Sequence, residues 1–125
     1  MFAPKDSNST QYSYNLAKKA AQIAFDKKAK DIFILDLRNL TSITDYFLIC
    51  TGDVDLHVKA IVDEIKIKLK PETKPWHIEG YQHLKWVLMD YVDFVVHVFQ
   101  KDIRNYYNLE RLWADAPSEK IESSF

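Results

Sequence analysis

The order of apolar patterns along this chain predicts an α/β (α+β) fold, a mixed β-sheet of about five strands flanked by helices. Three observations carry that expectation. Residues 85–100, KWVLMDYVDFVVHVFQ, hold two nearly continuous runs of β-branched, aromatic and aliphatic residues around a short polar break. Such runs read as a hairpin in the body of a sheet, covered on both faces. Two further apolar runs, DIFILDL (31–37) and YFLICT (46–51), are bounded by polar residues and have strand length. Two stretches with apolar residues at helical spacing complete the pattern, one of them between the second and third strands.

In chain order, residues 1–11 are polar and are expected to form a flexible tail. Leu16, Ala20, Ile23 and Ala24 then mark the inner face of a first helix, with Lys18, Lys19, Gln22 and Asp26 outside. After the strand DIFILDL, the segment RNLTSITD (38–45) is rich in Asn, Thr and Ser and makes a loop. The strand YFLICT runs into Gly52, and Asp53 or Asp55 is placed to cap the next helix. There Val58, Ile61, Val62, Ile65 and Leu69 form one apolar stripe, and Lys66, Lys68 and Lys70 crowd the last turns. Pro71 ends it.

WHIE (76–79) makes a short strand, which Pro75 places at a sheet edge, and residues 80–83 turn the chain into the hairpin. With Tyr91-Val92 as a two-residue loop, Asp90 faces Asp93, Leu88 faces Val95 and Trp86 faces His97. Val87 with Val96 and Met89 with Phe94 then share the other face. Asp102 is placed to cap a short helix, IRNYYNLERLW, with Ile103, Tyr106, Tyr107, Leu109, Leu112 and Trp113 mostly inward. Residues 116–125, APSEKIESSF, are expected to form a second flexible tail, which leaves a single domain over 12–115.

Composition narrows the function. A chain of 125 residues that is 47% hydrophobic can build one core. A formal net charge of −1 argues against affinity drawn from neutralising phosphates, so a protein partner or small ligand is expected, with no direct sequence-specific nucleic-acid binding. The single Cys50 can form no internal disulfide, and FLICT reads as a core segment. No run approaches the ~20 apolar residues that cross a bilayer, and the N-terminus has no signal pattern, so the expected location is cytoplasmic, away from membranes.

Candidate chemistry is sparse. Asp36, Asp45, Asp90 and Asp93 could group at strand ends around Mg²⁺ for nucleotidyl or phosphoryl transfer. No Gly-rich phosphate loop accompanies them, and Asp is common at turns. His57, His77, His83 and His97 lack metal-ligand spacing. No metal, cofactor or catalytic residue is expected from these patterns. The aromatic residues say more. Trp76, Tyr81, Trp86, Tyr91, Tyr106, Tyr107 and Trp113 crowd the second half, and most would fill the core. One small domain rarely buries every indole, so a face near Trp86 not fully covered by helices is a candidate docking surface.

Five phrases in order, TSITDYFLICTG (41–52), HVKAIVDEI (57–65), EG (79–80), WVLMDYVDFVVHVF (86–99) and YYNLERLW (106–113), resemble the ribosomal silencing factor family, also called RsfS or Iojap. The resemblance implies a nucleotidyltransferase-like fold without transferase activity. It implies a translational repressor that binds the large ribosomal subunit, chiefly its fourteenth protein, and blocks joining of the small subunit when nutrients are scarce. It also implies a homodimer. The glycine-serine loop and paired strand aspartates of an active nucleotidyltransferase are missing.

Two positions depart from the family pattern. Leu56 stands where Arg or Lys is common, and Val92 replaces the glycine usual before Asp93, so a different turn type is expected. On this resemblance the ribosomal-protein-binding residues would be Trp86, Leu88, Asp90 and His97, then Thr41, Ser42, Thr44 and Asp45. Trp86 would supply desolvated area and Asp90 an anion for a basic side chain. The competing view makes Trp86 a core residue and Asp90 the organiser of the turn.

Overall fold

Helix α1 (Asn8–Asp26) opens a computed structural model that describes residues 8–123. There follow β1 (Lys30–Asp36), β2 (Tyr46–Gly52), α2 (Asp55–Leu69), β3 (His77–Glu79), β4 (Trp86–Asp90), β5 (Phe94–Gln100), α3 (Lys101–Tyr107), α4 (Leu109–Leu112) and β6 (Ser118–Ile121). The strands form one mixed sheet in the order β3-β4-β5-β2-β1-β6, one strand more than the expected five. Only β2 and β5 run parallel, and α2 carries the chain back between them as such a pair requires.

The two faces of the sheet are covered unequally. On one face α1 and α2 lay down Leu16, Ala20, Ile23, Ala24, Val58, Ile61, Val62, Ile65 and Leu69, all buried against Ile34, Leu48, Cys50, Val87, Met89, Val96 and Val98. On the other, the short helices α3 and α4 bring Ile103, Leu109 and Trp113 onto Leu35, Leu37, Ile49 and Phe99. Strand β5 is accordingly buried on both faces, as its continuous apolar run predicts. Strand β4 alternates between buried and half-buried, so it is covered on one face only.

Several expectations need correction. The C-terminal stretch is not a tail throughout: Ser118–Ile121 adds to β1 as an antiparallel edge strand, pairing Ile32 with Ile121 and Leu35 with Ser118. Without it the outer edge of β1 would leave its N–H and C=O groups unpaired. Ile121 is buried in the main core, and Glu119 accepts from the Tyr14 hydroxyl at 2.6 Å and from Lys18 Nζ at 2.7 Å. At the other terminus residues 8–11 already belong to α1, where Thr10 is buried; residues 1–7 of the expected tail lie outside the described residues.

The expected helix caps also differ. Val54 occupies the N-cap of α2, and no side chain caps it. Asp53 pairs with Lys30 at 2.9 Å and Asp55 with Lys85 at 2.8 Å, so both carboxylates are drawn to cations instead. The Asp53 N–H donates to His57 Nδ1 at 2.9 Å. The last helix breaks in two at Asn108, whose left-handed backbone (φ 48°) is one Asn tolerates, and whose side chain accepts from the Arg111 N–H. The break leaves Tyr106, Tyr107 and Leu112 exposed, against the inward placement expected of them.

The hairpin register is displaced by two residues on β5. Trp86 faces Phe99, Leu88 faces His97 and Asp90 faces Val95. Tyr91 joins the strands, donating its N–H to Phe94 at 2.9 Å and stacking on the Phe94 ring, so the loop residues are Val92 and Asp93. A shift of two keeps every side chain on its expected face while changing each partner. Val92 sits at φ 74°, bridged by a bond from the Asp93 N–H to the Tyr91 carbonyl, a γ-turn in which a β-branched residue is strained.

Candidate docking face

The incomplete cover over the second face of the sheet defines the candidate site. Beside the patch under α3 and α4, Phe47, Trp86 and Leu88 remain half-buried. A dent of about 180 Å³ opens beside Phe47 and Leu88, lined also by Val95, His97, Leu37 and Trp113. Thr41, Ile43, Thr44 and Asp90 complete its lining.

Trp86 enters the site from the start of β4. Gly80 makes the preceding turn possible: it has φ 82°, and a Cβ there would lie 2.0 Å from the Trp86 carbonyl oxygen. The indole stacks on Phe99 with centroids 4.8 Å apart, touches the Tyr107 ring at 4.9 Å, and donates Nε1–H to His97 Nδ1 at 3.1 Å. That bond places the proton of the neutral His97 ring on Nε2, where it finds no acceptor among the described residues. Burial pushes the His97 imidazole down to about 3, so the ring is neutral.

The loop 38–45 is held at both ends. Asp36 grips Arg38 through both carboxylate oxygens, with Nε to Oδ1 at 2.9 Å and Nη2 to Oδ2 at 2.7 Å. Leu37 N–H donates to the Asp45 carbonyl at 2.9 Å, and Asp45 N–H to the Asp93 carbonyl at 3.0 Å, which ties the loop to the hairpin tip. Between these anchors Thr41 Oγ1 accepts from the Ile43 N–H, and Ile43 is 85% exposed at the rim. Thr44 is buried, and its Oγ1 has no hydrogen-bond partner among the described residues.

The site residues expected from sequence fall into three positions. Leu88, Asp90, His97, Thr41 and Thr44 meet around the dent, and Trp86 adjoins it through His97. Ser42 is exposed on the loop and Asp45 half-buried at its base, and neither lines the dent. His97 is 3% exposed, so in the free chain it orients Trp86 from beneath and presents no surface of its own. Asp90 accepts from the Val92 N–H at 2.8 Å, which makes it an organiser of the turn. Sequence reasoning missed Ile43, Phe47 and Trp113. An aliphatic residue flanked by the hydroxyls of Thr41, Ser42 and Thr44 was the available signal for Ile43.

Chemically the site offers an apolar hollow with the half-buried Thr41 hydroxyl at its rim, while His97 Nε2–H and Thr44 Oγ1 stay covered beneath it, features suited to receiving an apolar side chain. The four aspartates do not gather: both oxygens of Asp36 serve Arg38, and among the described residues no three His, Cys, Asp or Glu side chains converge. Cys50 is buried, and burial pushes its thiol up to about 12. No helix among the described residues is long and apolar enough to cross a membrane.

Residues 10–124 match the family model described as ribosomal silencing factor during starvation. The chain is 47% identical over 109 residues to a ribosomal silencing factor of Bacillus subtilis, covering 86% of this chain and 92% of that one. A crystal structure of a Chromobacterium violaceum protein superposes with a TM-score of 0.75 at 36% identity, covering 92% of this chain and 90% of that one. A more distant relative, the mouse mitochondrial assembly of ribosomal large subunit protein 1, is 31% identical over 91 residues, 70% of this chain and 40% of that one.

Proposed function

This chain belongs to the ribosomal silencing factor family, and from that premise we propose that it is a cytoplasmic translational repressor that docks on the large ribosomal subunit and keeps the small subunit from joining. The observation that carries the docking surface is the half-covered second face of the sheet, with its apolar dent beside Trp86. Exposed apolar area rimmed by polar residues is what a protein partner covers. The proposed partner is a protein of that subunit, chiefly its fourteenth. The dent takes an apolar side chain against Leu88 and Phe47, while Thr41, Ser42 and Asp45 supply a polar rim and the buried Thr44 backs it from within. Asp90 keeps one carboxylate oxygen for a basic side chain, and His97 acts through Trp86. A homodimer formed on the same face would compete with the ribosome.

The test is co-sedimentation with isolated large subunits, followed by a subunit-joining assay. Ile43→Asp places a charge at the exposed rim without touching the core, and Leu88→Ala empties the floor. Each should weaken binding by about 5- to 30-fold, the range of interface anchors worth about 1–2 kcal/mol. Normal co-sedimentation of both variants would reject the surface. Subunits that join unhindered at saturating protein would reject repression by occlusion.

A further inference from the structure

A second surface lies on the opposite side of the sheet, at its β3 edge. The C-terminal half of α2 and the segment entering β3 enclose a groove of about 690 Å³ lined by Lys66, Ile67, Lys70, Lys74, Trp76 and His77. None of the three lysines makes an ion pair among the described residues, whereas their neighbours Lys59 and Lys68 are paired with Asp63 and Glu64. Asp63 is the one acid in the lining; it holds Lys59 at 3.0 Å and the Tyr81 hydroxyl at 2.7 Å and attracts Lys66 from beyond ion-pair distance, so one carboxylate faces several cations. A chain with net charge −1 therefore carries a local cationic strip.

The second feature is the indole at its edge. Trp76 is 77% exposed, yet its backbone is fixed, donating N–H to the Asp90 carbonyl at 2.7 Å and preceded by Pro75. Ile67, 65% exposed, extends the apolar floor beside it. Lys66 and Lys70 lie one helical turn apart, which spaces their Cβ atoms at about 6 Å along the groove. Closely spaced cations beside an open aromatic face match a ligand that alternates phosphates with flat rings. An acidic peptide would satisfy the lysines and leave the indole bare.

We propose that this groove binds single-stranded RNA without regard to sequence, with phosphates on Lys66, Lys70 and Lys74 and a base stacked on Trp76. The proposal does not depend on the docking face, which lies across the sheet. The probe is a fluorescein-labelled uridine dodecamer, followed by anisotropy with the full chain. Three phosphate contacts to a single strand predict that affinity falls about 20-fold between about 50 and about 200 mM salt. Loss of one stacked base predicts at least about fivefold weaker binding for Trp76→Ala, with recovery in Trp76→Phe. The triple variant Lys66→Glu, Lys70→Glu, Lys74→Glu should not bind at all; all these side chains are exposed, and unchanged circular dichroism verifies the fold. Failure of the unaltered chain to bind the dodecamer, or equal binding by the variants, would overturn the proposal. So would a labelled oligoglutamate dodecamer binding as tightly as the RNA, which would assign the groove to acidic protein segments.

Discussion

Acid should loosen this fold through one side chain. Burial holds His97 down to about 3, whereas a histidine in an unfolded chain titrates near about 6.5. Between those values the unfolded chain binds a proton that the folded chain refuses, so stability rises with pH across that window. The contribution is intact above about 6.5 and is lost progressively as pH falls toward about 3. From pH about 7 to pH about 5 the difference is about 2 kcal/mol, and it is insensitive to the exact folded value because pH 5 lies well above it. With a urea slope of about 1–3 kcal/mol per molar, the unfolding midpoint should fall by about 1 M, read by tryptophan fluorescence. His97→Asn keeps an acceptor where Nδ1 meets the Trp86 indole but cannot be protonated. It should start from a lower midpoint, having lost ring contacts with Phe47 and Phe99, and then lose less than half as much on acidification. Equal acid losses in the two chains would show that His97 is not the group responsible.

Three further outcomes follow from particular contacts. Val92→Gly relieves the φ of 74° at the hairpin tip and should stabilise the chain by up to about 1 kcal/mol, the strain released less the entropy glycine adds to the unfolded state; a raised urea midpoint checks it. Arg104 is buried and donates to the Asp31 carbonyl at 2.7 Å, to Thr51 Oγ1 at 2.8 Å and to Glu110 at 3.0 Å, so Arg104→Met should cost about 2–4 kcal/mol by leaving those acceptors unpaired, measured by thermal unfolding. Ile121→Ala removes the one core side chain of β6 and should cost about 2–4 kcal/mol, seen as faster amide exchange along β1 as well as a lower unfolding midpoint.

What the sequence made legible depended on how local each determinant was. The stripe from Val58 to Leu69 and the runs at β1, β2 and β5 announce their elements because periodicity is written within each segment. Hairpin parity was legible and the pairing was not, since a two-residue slip leaves every face unchanged; what decides it is Tyr91 stacking on Phe94, a contact across the turn. Strand β6 was invisible for a related reason. Ser118–Ile121 carries one apolar residue, and it becomes a strand only because β1 offers an unpaired edge far earlier in the chain, Ile32 standing 89 residues before its partner Ile121. At the candidate face, the partial exposure of Trp86 and Leu88 was legible from residue type and strand alternation, whereas the burial of His97 and the use of Asp90 by the turn depend on what lies above and beside them.

The open face itself follows from helix length. Six strands set side by side span about 24 Å across the sheet. Helices α1 and α2, of 19 and 15 residues, reach about 28 and 22 Å and can roof one side. Helices α3 and α4, of 7 and 4 residues, reach only about 10 and 6 Å, and the left-handed turn at Asn108 prevents them from adding end to end. A residue that let α3 continue through position 108 would change the angle at which Trp113 meets Phe47, now an edge contact at 6.0 Å. The dent beside Leu88 therefore exists because the helix breaks and turns there, and the same break that exposes Tyr106 and Tyr107 leaves the apolar floor of the sheet only partly covered.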